Sequence, residues 1–309
     1  MKAVFDIVIP VFSIVILSFG LARCGVFNAA TSDGITRLMF YVAIPAMLFR
    51  TLATTTLPQE IPWSYIFAFY GASFAMFVGG AFLSARVFQC NKSEQGIAAI
   101  SASYSNMVML GFPLIITTFG EDGAVPLFIL LALQSMLLFP ATTWMLEVYG
   151  RDTSIRQASI FGTVAKLLFN PVIFSLGLGI AANLTGVAVT GIPGQIISML
   201  SAAAPACALV ALGAGLAQYD LRGDLKLALM LSLCKGFVHP ALVWIACWLL
   251  HVPVLWTQVA VVLAAMPTGI NAFIFARNYE VNVAVVSKTI VLSTLLSTIT
   301  VSVLLHRFL

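Results

Sequence analysis

From Leu167 to Tyr219 the chain runs 53 residues without an Asp, Glu, Lys, Arg or His. A soluble domain carries about 25% charged residues and does not leave so long a stretch bare. A bilayer removes the difficulty, because a helix needs about 20 mostly apolar residues to cross the hydrocarbon core. The run therefore holds two crossings. Its middle, AANLTGVAVTGIPGQ (Ala181–Gln195), supplies the Asn, Gly and Pro of a turn between them. A second run, between Lys235 and Arg277, contains only His239 and His251 as ionisable groups of that kind, and HVPVLW (His251–Trp256) divides it.

The rest of the 309-residue chain has the same character, 61% hydrophobic and 8% charged. Apolar runs are expected to span at about 4–22, 34–52, 64–86, 96–117, 125–147, 160–182, 195–217, 227–249, 256–276 and 284–305. The N-terminal stretch reads as the first of these rather than a cleaved signal peptide, since it holds Asp6 and lacks a small-x-small cleavage site. The five cysteines, an odd number without paired spacing, read as small hydrophobes. With alternating connections, Arg23, Arg37, Arg86, Lys92, Arg151, Arg156, Lys166, Arg222, Lys226 and Arg277 fall on one side, and Lys2, Arg50 and Arg307 on the other. That asymmetry places the first group in the cytoplasm and both termini outside. No loop is basic enough to track a phosphate backbone, which excludes nucleic acid as a partner.

Five spans, a charged linker and five more spans predict a duplication whose second copy is inverted. The expected architecture is an all-α multi-pass protein of the cell inner membrane. It has ten transmembrane helices in a 5+5 inverted repeat: residues 1–150, a short cytoplasmic linker 151–159, and residues 160–309. AIPAMLF (Ala43–Phe49) and AAAPACALVALG (Ala202–Gly213) form one weak internal match. The other pairs NMVMLGFPLIITTFG (Asn106–Gly120) with MPTGIN (Met266–Asn271), in the fourth span of each half. Gly/Pro-interrupted apolar segments at corresponding places in two halves point to a transporter binding site.

Pro113 lacks an N–H and its ring crowds the carbonyl of residue 109. Two readings follow. The helix is kinked and neighbouring groups restore its bonds, or it opens to line a polar cavity. In the second case the half-helix N-termini present free N–H groups and partial positive charge to an anion or a coupling ion. The candidate substrate-binding set is Asn106, Gly111, Pro113, Pro267, Gly269 and Asn271, with Ser105, Lys288 and Ser293 behind them. Most hydroxyls in the SKTIVLSTLLSTIT run are expected to bond their own preceding carbonyls or tie helices together. Lys235 and Lys288 lie inside spans, where a charge marks function by default unless the long stem snorkels to an interface. His239, one turn from Lys235, is either a proton relay or a buried neutral ring.

DGITRLMFYVAIPAMLF (Asp33–Phe49), SNMVMLGFPLI (Ser105–Ile115) and AAMPTGINAFIFARNYEV (Ala264–Val281) together resemble the auxin efflux carrier family, which includes plant auxin carriers and bacterial malonate transporters. The resemblance covers almost the whole chain. It rests on Ile35, Arg37 and Pro45, on Asn106, Gly111 and Pro113, and on Pro267–Ile270, Phe273, Phe275, Ala276 and Tyr279. It implies an architecture similar to bile-acid symporters, with helices four and nine broken and crossing, and elevator-type movement. It also implies small organic anions, such as auxin or carboxylates, as substrates, and homodimers; the expected drive is a proton or sodium gradient or the substrate's own gradient. Plant members carry a long hydrophilic segment between the halves, which is about ten residues here. Secondary transport is thus the expected function, with a channel or membrane sensor as the alternative. The chain has no Walker motif, no Gly-x-Ser-x-Gly elbow and no paired metal-ligand spacing. An enzyme is not expected, and no cofactor.

Overall fold

A computed structural model describes residues 2–55, 62–149, 171–187, 189–219 and 223–308. Its regular elements are helices: α1 (Lys2–Arg23), α2 (Ala29–Thr54), α3 (Trp63–Phe88), α4 (Lys92–Ser103), α5 (Phe112–Phe119), α6 (Ala124–Tyr149), α7 (Pro171–Thr185), α8 (Gly191–Leu216), α9 (Leu225–Leu249), α10 (Val254–Ala264), α11 (Ile270–Asn278) and α12 (Val283–Phe308). Polar residues fix several starts. Asn28 accepts from the Thr31 N–H, and Asp224 accepts from the Lys226 N–H at 2.7 Å. Asn91 and Glu94 form a reciprocal capping box at the head of α4.

Ten continuous spans in a 5+5 inverted repeat do not describe this chain. Among the described residues six helices are long and apolar enough to cross a membrane: Ala29–Thr54, Trp63–Phe88, Met107–Leu146, Gly191–Leu216, Leu225–Leu249 and Val283–Phe308. Val8–Arg23, Pro171–Thr185 and Val254–Ala264 are shorter apolar helices. The bile-acid-symporter-like arrangement built on ten spans is corrected with the count. The physical reason is that hydropathy registers apolar length, not backbone continuity. α4 at about 18 Å is too short for a hydrocarbon core of about 30 Å, and the backbone leaves helical geometry at 104–106 and again at 265–269. The expected linker, 151–159, lies outside the described residues.

Prolines widen these helices rather than break them. Met39–Ala43, Met107–Gly111 and Cys234–Val238 are each a single π turn, and Pro45, Pro113 and Pro240 follow each at the same offset. The residue before each proline donates to the carbonyl five back: Ile44 to Met39, Phe112 to Met107 and His239 to Cys234. A wider turn relieves the proline ring of its clash with the carbonyl four residues earlier.

α12 turns its hydroxyl-bearing face inward. α12 buries Ser287, Thr289, Ser293, Thr294 and Ser297 while it exposes Leu295, Ile299 and Val303, a stripe at a spacing of four. Its hydroxyls mostly bond back along the helix, Thr289 to the Val285 carbonyl and Thr294 to Ile290. The exposed apolar stripe faces outward, and the largely apolar interior also holds these hydroxyls. α3 packs on α4 and α9, α9 packs on α12, and α2 lies against α7 and α8. The two interruptions meet within this interior.

Candidate functional site

Tyr104, Ser105 and Asn106 leave the helix between α4 and the π turn ahead of α5, and Ala265–Gly269 do the same between α10 and α11. The two stretches pair as a minimal antiparallel bridge at Ser105 and Thr268. The Asn106 N–H donates to the Pro267 carbonyl at 2.9 Å, and the Gly269 N–H donates to the Tyr104 carbonyl at 2.9 Å. Unpaired backbone at membrane depth is tolerated only where protein satisfies it, and side chains complete that work. Gln134 of α6 accepts from the Ser105 N–H at 3.1 Å and donates to the Ser105 carbonyl at 2.9 Å. The Thr268 N–H donates to Ser293 Oγ at 3.1 Å, and the Thr268 hydroxyl donates to the Ser101 carbonyl at 2.7 Å. Ser105 and Thr268 are fully buried.

Two helix N-termini start from this crossing, at Met107 and Ile270. Asn106 caps the first, its Oδ1 accepting from the Met109 N–H at 3.3 Å. That bond fixes which way the amide points and turns Nδ2 away from the cap. Asn106 is only 4% exposed, and its Nδ2 has no hydrogen-bond partner. A buried amide donor without an acceptor costs about 1–3 kcal/mol. It is the chemical opening of the site. Asn271 Nδ2 donates to the Tyr104 hydroxyl at 2.8 Å, which leaves the phenol proton for Ser135 Oγ, 2.9 Å away.

The sequence candidates fall into place unevenly. Ser105, Asn106, Pro267, Gly269, Asn271 and Ser293 come together at the crossing. Gly111 packs beside it, where an added Cβ would come within 2.9 Å of Leu263 and 3.4 Å of the Asn106 carbonyl. Pro113 does not open the helix. The interruption lies at Tyr104–Asn106, and Pro113 follows the π turn Met107–Gly111, whose wider backbone accommodates its ring. Lys288 donates to the Gly223 carbonyl ahead of α9 rather than to any residue of the crossing.

Lys235 does reach the crossing, from the π turn of α9. Nζ donates to Ser105 Oγ at 2.9 Å and to the Ala264 carbonyl at 2.5 Å, and lies 3.0 Å from His239 Nδ1. His239 Nε2 is 3.0 Å from Ser73 Oγ of α3. Both Lys235 and His239 are fully buried, so neither snorkels. Gln134, Thr268 and Ser73 escape sequence reading. Gln134 offers the one readable signal, an amide alone in the apolar run LLALQSMLLF.

Gly269 has a clear steric reason. A Cβ there would lie 2.5 Å from Tyr104 Cδ1 and 3.2 Å from the Ser105 carbonyl. Gly269→Ala is expected to push the Tyr104 ring aside and loosen its bonds to Asn271 and Ser135. Melting of the detergent-purified protein should fall by roughly 2–4 °C for each kcal/mol lost. An unchanged melting temperature would show that the ring yields freely.

Among the described residues no three His, Cys, Asp or Glu side chains gather where they could hold a metal ion. A family model described as "Membrane transport protein" matches residues 3–305. A Rhizobium meliloti (strain 1021) protein named "Putative malonate transporter" is 26% identical over 308 residues, covering 99% of this chain and 96% of the relative. An "Uncharacterized transporter" of Methanothermobacter thermautotrophicus is 26% identical over 94% of each chain. The "Lysosomal cholesterol signaling protein" of Mus musculus is 22% identical, over 58% of this chain and 22% of its own length.

Proposed function

The chain belongs to the membrane transport protein family, and from that premise we propose that it is a secondary transporter of a small organic anion, bound where the two interrupted helices meet. The observation that carries this reading is the unpartnered, buried Nδ2 of Asn106 at a helix N-terminus. A carboxylate supplies the missing acceptor, and a hydrogen bond to a charged acceptor is worth about 1.5–3 kcal/mol. The N-terminal end of α11 and the Asn271 amide add donors from the other side. Small carboxylates fit such a site, and the name of the Rhizobium relative makes malonate the first compound to try.

Alternating access requires this site to face each side in turn. The crossing is tied together by the backbone and side-chain bonds between 104–106 and 265–269, so it moves as a unit in an elevator-type step. The decisive experiment is uptake into proteoliposomes from a panel of small carboxylates, with pH and sodium gradients varied separately. Saturable uptake with counterflow supports the carrier. Unsaturated conductance would favour a channel instead.

We also propose that the segment around Arg151 and Arg156, the most charged connection in the sequence, faces the cytoplasm. A cysteine introduced at Asp152, in a background without the native cysteines, should react with an impermeant maleimide only in inside-out vesicles. Reaction in right-side-out vesicles alone would reverse the orientation.

A further inference from the structure

Lys235 Nζ has three partners, all neutral, and as an ammonium it commits all three protons to them. The tautomer of His239 follows from its neighbours. Ser73 Oγ donates its single proton to the Phe69 carbonyl at 2.9 Å, so at 3.0 Å it accepts from His239 Nε2–H. Nδ1 is then the bare nitrogen, and it accepts from Lys235 Nζ at 3.0 Å. The remaining two protons go to the Ser105 hydroxyl and the Ala264 carbonyl. Among the described residues no carboxylate lies within ion-pairing distance of Nζ.

The acceptors are placed by the interruptions themselves. Ala264 ends α10, and the donor that a continuing helix would give its carbonyl is the Thr268 N–H, which is bonded instead to Ser293 Oγ. The ammonium takes that place, at the negative end of the α10 dipole. Ser105 belongs to the other interruption, so one charge holds both. A carbonyl oxygen and a hydroxyl oxygen, the ligands a hard cation takes, surround one positive centre with no counter-anion, and a bare imidazole nitrogen stands beside them.

We propose that the crossing contains a niche for a small monovalent cation and that Lys235 fills it covalently, so the chain carries in its own sequence the positive charge that would otherwise come from a bound ion such as sodium. The niche stands on the geometry alone; its bearing on anion uptake rests on the transporter reading above. Three consequences follow. The native protein binds no sodium at this place. Lys235→Ala leaves Ser105 Oγ, the Ala264 carbonyl and His239 Nδ1 around a space that sodium or methylammonium fills. Lys235→Met fills the space without charge and admits neither.

The test is thermal unfolding of the purified full chain at constant ionic strength, with choline chloride exchanged for sodium chloride or for methylammonium chloride. The native protein and Lys235→Met should give flat titrations. Lys235→Ala should melt lower and recover saturably, by roughly 3–6 °C, with one of the two cations. A flat titration of Lys235→Ala, or a saturable rise in the native protein, overturns the niche. Lys235→Ser is carried in parallel and read by the same criteria if the alanine variant does not accumulate. If neither accumulates, the native titration decides between a filled and an open niche. In proteoliposomes, Lys235→Ala should regain anion uptake by at least about tenfold with the cation that stabilises it. Failure of the native protein to take up any anion counts against the transporter reading and leaves the unfolding result to judge the niche.

Discussion

Asn106→Leu should lower carboxylate uptake in proteoliposomes by about 10- to 100-fold while the protein still reaches the membrane. The estimate is the loss of one hydrogen bond to a charged acceptor, about 1.5–3 kcal/mol, at about 1.4 kcal/mol per tenfold. Leu matches Asn approximately in volume but offers no donor where Nδ2 points and no acceptor for the Met109 N–H. Losing that cap costs about 0.5–2 kcal/mol of helix stability, so the variant should melt lower as well. Asn106→Asp separates the two effects. It keeps the cap oxygen for the Met109 N–H and replaces the free donor with negative charge, so it should fold better than the Leu variant and bind an anion worse. Native-like kinetics in either variant would remove Asn106 from the site.

The sequence made part of this legible. Helical crossings could be read from apolar length, and the neighbourhood of the site from Asn106, Pro267, Gly269 and Asn271. The exact interruption could not. Pro113 is the local breaker, yet the π turn Met107–Gly111 absorbs its strain, and the backbone opens instead at Tyr104–Asn106, which has neither Gly nor Pro. What holds that opening is long-range: Thr268, 163 positions from Ser105 along the chain, and Gln134, 29 away. Such partners leave no local pattern. Lys235 was ambiguous for a similar reason. Its stem could reach an interface or the interior, and only the packing of α9 against the crossing decides for Ser105 and Ala264. The count of spans failed because α10 is apolar enough to look like part of a full crossing and stops short, as α4 also does.

Gln134→Leu should be the most destabilising single change near the site, and it tests whether the opening is held from outside. The Gln134 side chain meets both backbone groups of Ser105 as a neighbouring strand would, accepting from its N–H and donating to its carbonyl. Leu offers neither. Each buried backbone group left without a partner costs about 1–3 kcal/mol, so the loss is about 2–6 kcal/mol. The variant should accumulate poorly and melt well below the native protein. Gln134→Glu, still able to accept from the Ser105 N–H, should lose less. If Gln134→Leu melts like the native protein, then Ser105 finds other partners, and the crossing depends on the Thr268 pairing alone. Loss of stability in Gln134→Leu together with native-like anion affinity in the folded fraction would identify Gln134 as a positioning residue, and would leave Asn106 and Asn271 as the groups that meet the solute.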